Sequence, residues 1–178
     1  QVAVIERVAD QEATEAVDVD GVPVRVEKAH AWPLPPLPAN VAVDAVDARA
    51  RIVVTDRVSV PPSDLPTVAL HPNSLVVGMG CTRGTPVETL RALLTETLAA
   101  HDLALESVTA ITTVDLKAGE IGLLQLVKQL GVPLIDYTPE TLAEQDVPTP
   151  SAMVQGHVGT PSVSEASVLA RGAELLVP

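Results

Sequence analysis

From residue 72 onwards the apolar positions alternate between strand-like and helix-like spacing. SLVVGMG (74–80) is a short, nearly continuous apolar run of strand length. Val87, Leu90, Leu94 and Leu98 then recur at helical spacing. SVTAITTV (107–114) predicts a second strand, and Ile121, Leu124, Val127 and Leu130 predict the buried face of a second helix. That helix stops at Gly131, with Pro133 beyond. VPLIDY (132–137), PETLAEQ (139–145), SVSEASVLARGA (162–173) and AELLV (173–177) predict a strand, a short helix, a longer helix and a last strand. Strands alternating with helices predict an α/β fold with a mostly parallel sheet, flanking helices and right-handed crossovers.

Residues 1–71 are patterned differently, as short β-like runs: VAVIERV, AVDVDGVPVRVEKA and ARIVVTD. Asp20-Gly21 lies between alternating valines and predicts a hairpin. AWPLPPLPAN carries Pro33, Pro35, Pro36 and Pro38, which impose an extended path; a rigid crossing between strands suits it better than a PxxP ligand. The division expected is therefore a partial, strand-rich region over 1–71 and an α/β domain over 72–178. Three helix starts have capping chemistry. Thr85-Pro86-x-Glu88 and Ser162-x-x-Glu165 fit the capping box, and Thr138-Pro139 puts proline at the first helical position.

Composition narrows the chemistry. The chain is 47% hydrophobic with only Trp32 and Tyr137 aromatic, so its core must be aliphatic. Eleven basic against 23 acidic residues give a net charge of −12, and with no basic run this excludes a nucleic-acid or anionic-membrane surface. His30, His71, His101 and His157 are scattered without metal-ligand spacing. The lone Cys81 fits a reducing, cytoplasmic compartment. No apolar stretch reaches the roughly 20 residues of a membrane span. The start at Gln1 is not a signal peptide, and the chain reads as cut from something longer.

The turn GMGCTRGTP raises three possibilities. A dinucleotide loop requires G-x-G-x-x-G, but Arg83 stands where the third glycine belongs and Gly84 comes one residue late. Cys81 follows a strand, near a helix start and Arg83, both expected to lower its thiol pKa, yet no histidine is placed as its base. The third possibility is collective. In an open parallel sheet ligands collect beyond the carboxyl ends of the strands, where GCTRGT, TTVDLKAGE and DYT all fall. TPS (149–151) and GTPSVSE (159–165) complete that rim, and Arg83 and Lys117 supply charge for an anion. Lys117 and Glu120, three residues apart at a helix start, are either an acid–base pair or a solvated salt bridge.

Taken together, GMGCTRGTP, TTVDLKAGEIGLLQLVKQLGVPL, TPSAMV and GTPSVSEASVL resemble the CbiG/CobE family of cobalamin biosynthesis in order and spacing. The resemblance covers about 74–178, and AWPLPPLPANVAV, ARIVVTDR and LHPNSLVV look like the central region that CbiG proteins carry before this domain. The amino-terminal CbiG domain and a final strand after ELLVP are missing from that pattern. The resemblance implies a hydrolase that opens the lactone of cobalt-precorrin-5A and releases acetaldehyde, leaving cobalt-precorrin-5B. A non-catalytic CobE-like module that binds a corrin intermediate is the alternative. Cobalt would arrive within the substrate, so no cofactor or resident metal is expected, and other cobalamin-pathway enzymes are possible partners. The motif residues are Gly78, Gly80, Cys81, Arg83, Gly84, Lys117, Glu120, Ser151, Ser162 and Glu165. Of these Glu120 is the expected base, Lys117 or Arg83 the ligand of a carboxylate or oxyanion, and the glycines and Ser162 donors to the substrate.

Overall fold

The structure is a computed structural model that describes residues 4–7, 21–150, 162–171 and 174–177. Its strands in chain order are β1 (Val4–Arg7), β2 (Val24–Lys28), β3 (Val41–Val43), β4 (Ala50–Val54), β5 (Thr67–Leu70), β6 (Leu75–Gly78), β7 (Val108–Val114), β8 (Leu134–Tyr137) and β9 (Glu174–Val177). The helices are α1 (Val87–Ala100), α2 (Ile121–Leu130), α3 (Pro139–Ala143) and α4 (Val163–Leu169). Two compact units result. The first takes β1, Leu75–His101 and the described residues from Val108 onwards; the second takes the described residues from Gly21 to Ser74 together with Asp102–Ser107.

The first unit is built on a five-stranded sheet of order β8-β7-β6-β1-β9. β6, β7 and β8 run parallel, while β1 is antiparallel to both β6 and β9. The mostly parallel α/β expectation holds, with one amendment. VAVIERV, assigned by its place in the sequence to the region before residue 72, supplies β1 inside this sheet. Hydrogen-bonding partners, not sequence order, decide which unit a strand joins. β6 is buried on both faces and so is nearly all of β7, as β-branched runs in parallel sheets are. Helix α4 packs on β6, β7, β1 and β9. It approaches so closely that a Cβ on Gly78 would lie 2.1 Å from the Ser164 carbonyl oxygen and 2.7 Å from Val168 Cγ2. Buried hydroxyls fix the contact: Thr112 Oγ1 meets Ser167 Oγ at 2.9 Å, and Ser167 Oγ donates to the Ser164 carbonyl at 3.0 Å.

Helix α2 turns a different face inward from the one its spacing suggested. Gly122, Leu123, Leu126 and Val127 are buried, whereas Ile121 is 71% and Leu124 46% exposed. IGLLQLVKQL carries two adjacent apolar rows, so periodicity alone does not choose between them. Gly122 chooses: its α-carbon seats against the Thr85 carbonyl, where a Cβ would come within 2.2 Å. Gly131 closes the helix with φ of 71°. Helix α1 also departs from expectation. Pro86 occupies its N-cap with no side-chain cap, and the Thr85 hydroxyl donates instead to the Thr82 carbonyl at 2.8 Å. The capping box with Glu88 therefore does not form.

The second unit is a four-stranded, all-parallel sheet of order β3-β2-β4-β5. β3 and β4 take both edges of β2. The other arm of the expected hairpin, residues 16–20, lies outside the described residues. The proline-rich segment joins β2 to β3 as an extended crossing, and Trp32 within it packs with Val24, Val26, Val41, Ile52 and Val54. The buried Arg51 bonds Glu27 Oε2 at 2.9 Å, Thr67 Oγ1 at 2.9 Å and the Pro61 carbonyl, linking β2, β4 and β5.

Gly78→Ala should lower the unfolding free energy by roughly 2–3 kcal/mol, because the new methyl meets backbone that cannot yield. Gly131→Ala should cost only about 1 kcal/mol, through positive φ alone. Urea denaturation of the two variants checks the ranking.

Candidate functional site

The site forms where the chain leaves two neighbouring parallel strands, β6 and β7. Just past β6, Met79 is gripped by β7 on both sides. Its N–H donates to the Thr112 carbonyl at 2.8 Å, and its own carbonyl accepts from Thr113 Oγ1 at 2.8 Å. The following turn closes with Thr85 N–H on the Thr82 carbonyl at 3.3 Å. Gly84 takes φ of +75° at the third turn position, where type II turns demand it. Past β7, residues Asp115–Lys117 form a 3-10 turn, and Glu120 N–H donates to the Lys117 carbonyl at 3.0 Å before α2 begins. These compact turns bring Glu120 to the α2 N-cap position with its carboxylate facing the Gly84 turn.

Glu120 joins the two segments. Its Oε2 accepts the Gly84 N–H at 2.9 Å, and its Oε1 lies 3.6 Å from Lys117 Nζ. Their side chains are 14% and 23% exposed, so the pair is partly shielded from solvent. The Gly84 hydrogen bond, then Lys117 and Arg83, hold the Glu120 carboxyl below its ordinary pKa. It is ionised at neutral pH and, while so held, weakly basic. Cys81 moves opposite to expectation. Burial first, then the Glu120 charge, push its thiol pKa up, with Lys117 opposing. The nearby carboxylate and the loss of water outweigh the cations.

The other predicted residues divide by burial. Gly78 lies within β6 beneath Ser164 and is a packing glycine, while a Cβ added at Gly80 would meet Val163 only at an ordinary contact distance of 3.6 Å. Ser162 caps α4, accepting the Glu165 N–H at 3.4 Å. Glu165 is only 2% exposed. Its Oε2 accepts the Thr149 N–H at 3.0 Å and its Oε1 the Thr149 hydroxyl, so this carboxylate anchors the segment before α4. Ser151 lies outside the described residues. The sequence reading did not single out Thr113, which fixes Met79, or Gly122, which seats α2 on Thr85. A glycine inside an apolar helical pattern is a signal for such a seat.

Among the described residues no group of three His, Cys, Asp or Glu side chains gathers in a metal-binding arrangement. No described helix is long and apolar enough to cross a membrane.

The family profile described as "Cobalamin synthesis G C-terminus" matches residues 75–178. The chain belongs to this family. It is 36% identical over 110 residues to the cobalt-precorrin-5A hydrolase of Priestia megaterium and 40% identical over 116 residues to that of Salmonella typhimurium. These alignments cover 61% and 65% of the chain but 29% and 33% of the relatives, so the chain spans about a third of their length. Protein CobE of Sinorhizobium sp is 32% identical over 97 residues, which are 53% of this chain and 63% of that protein. The crystal structure of a CobE from the cobalamin pathway superposes with a TM-score of 0.51 at 39% identity, covering 54% of this chain and 69% of that one. A role in cobalamin biosynthesis follows from this membership, and the Gly84–Glu120–Lys117 arrangement lies inside the matched region.

Two measurements check the electrostatics. The folded pKa of Glu120 lies below its unfolded value, so the tie to Gly84 stabilises the fold above the ordinary carboxylate range. That contribution should be lost as pH falls through the depressed value. The Gly84 amide resonance should titrate below the usual glutamate range, and in Glu120→Gln it should not titrate there. Cys81 should react with iodoacetamide at pH 7.5 more slowly than an unstructured cysteine peptide, and Glu120→Gln should accelerate it.

Proposed function

We propose that this chain is the carboxyl-terminal part of a cobalt-precorrin-5A hydrolase, and that the Arg83–Gly84–Lys117–Glu120 rim forms one wall of its substrate cleft. The observation that carries the reading is the meeting of two family motifs at one carboxylate, Glu120, beside two cations. A tetrapyrrole with carboxylate side chains needs cationic and N–H donors at its edge and apolar surface beneath its ring. Arg83, Lys117 and the Gly84 turn fit the first need. The exposed Ile121 and Leu124, on the helix that Glu120 caps, fit the second.

In this mechanism water adds to the lactone carbonyl as a base takes its proton. The ring oxygen leaves as an alkoxide, which collapses to acetaldehyde as the carbon–carbon bond to the macrocycle breaks. The electron pair of that bond passes to the conjugated macrocycle, which takes up the proton first removed from water. Glu120 is the proposed base, and Lys117 or Arg83 stabilises the developing oxyanion. Cobalt enters with the substrate, and the reaction draws on no further cofactor. The cytoplasm is the proposed compartment, in keeping with the family's biosynthetic role.

A second reading is favoured by the CobE comparisons, which cover about two thirds of those proteins against a third of the hydrolases. In it, this region binds a corrin intermediate and the chemistry belongs elsewhere. Incubation with cobalt-precorrin-5A and an acetaldehyde assay separates the two. Hydrolysis requires acetaldehyde in step with substrate loss, whereas a spectral shift without mass loss supports binding alone. In the active enzyme Glu120→Gln should reduce acetaldehyde release by about 100-fold or more, the scale of general-base catalysis, with substrate binding retained. Turnover at the wild-type rate would sink the Glu120 assignment.

A further inference from the structure

The two donors on Glu120 are the kind that bind a ligand carboxylate. Gly84 presents its N–H from an exposed turn, and a Cβ built there meets nothing within 4 Å. The same is true of Gly119, one residue before Glu120. The Lys117 contact, at 3.6 Å, is longer than the roughly 2.7–2.9 Å of a good charge-assisted hydrogen bond. The ammonium therefore keeps unused capacity, and the exposed Arg83 precedes Gly84 within the turn. Arg83 and Lys117 place two positive charges here against Glu120 and the exposed Asp115, so the rim is balanced on a chain whose net charge is −12.

We propose that the position filled by the Glu120 carboxylate is a binding subsite for a ligand carboxylate, which Glu120 holds as an internal stand-in until a polycarboxylate displaces it. For the ligand's identity this rests on the tetrapyrrole reading; the subsite itself rests on the donors. Displacement has a chemical consequence. The interactions that depress Glu120 are the ones the ligand takes over, so a displaced Glu120 becomes more basic as substrate arrives. In the free protein the stand-in also keeps a water-accessible carboxylate from acting as an idle base.

The test uses two probes: mellitate, a benzene hexacarboxylate, and uroporphyrin, a tetrapyrrole octacarboxylate. Glu120→Ala empties the subsite and should bind mellitate about tenfold more tightly, since binding no longer competes with the internal carboxylate. Lys117→Ala in that background should remove the gain. Unchanged or weaker mellitate binding by a folded Glu120→Ala variant overturns the proposal, because a purely structural tie gives that result. If the variant does not fold, the wild-type protein decides. Saturating mellitate should shift the Gly84 amide and the Glu120 carboxyl carbon together, and a stationary Glu120 overturns the proposal. A gain for mellitate with none for uroporphyrin upholds the subsite and removes the tetrapyrrole reading.

Discussion

The hydrogen bond from Gly84 to Glu120 is the interaction on which the site depends. Each end comes from a different crossover, one after β6 and one after β7. Parallel strands put both departures at the same, carboxyl end of the sheet, and short turns keep them there. The carboxylate then sets the local electrostatics. It offsets Lys117, opposes ionisation of Cys81 and is itself depressed by what it holds.

Close backbone approach is the second constraint, and it acts through two glycines. Gly78 admits α4 onto β6, and Gly122 admits α2 onto the Thr85 turn. The first contact brings Ser167 to Thr112; the second fixes which face of α2 is buried. Because Gly122 seats inward, Ile121 and Leu124 are left on the outer face of the helix that Glu120 caps. One packing contact thus decides both the core and the apolar surface beside the cations.

Glu165 and Glu120 separate two kinds of motif carboxylate. Both accept a backbone N–H, and both stand near a helix start. Glu165 is buried and holds Thr149, so it builds the scaffold. Glu120 holds an exposed turn and a lysine, and is itself only partly shielded from solvent. Residue type and spacing are alike in the two cases, and only the surroundings divide them.

The sequence by itself determined the elements after residue 72, the parallel pairing of β6 to β8, the helix stop at Gly131 and the family motifs. These follow from local period, turn residues and short-range order, which a linear reading contains. Tertiary structure alone decided the rest. It placed β1 in a sheet some 70 residues away in the chain, because an open strand edge is a property of the folded sheet. It paired β2 with β3 on one edge and β4 on the other, in a parallel sheet that local spacing does not specify. It turned α2 by a glycine contact invisible to periodicity, and raised the Cys81 thiol pKa through burial first and then through the charge of Glu120, 39 positions away. Each of these depends on a partner distant in sequence, and such partners are chosen only when the chain packs.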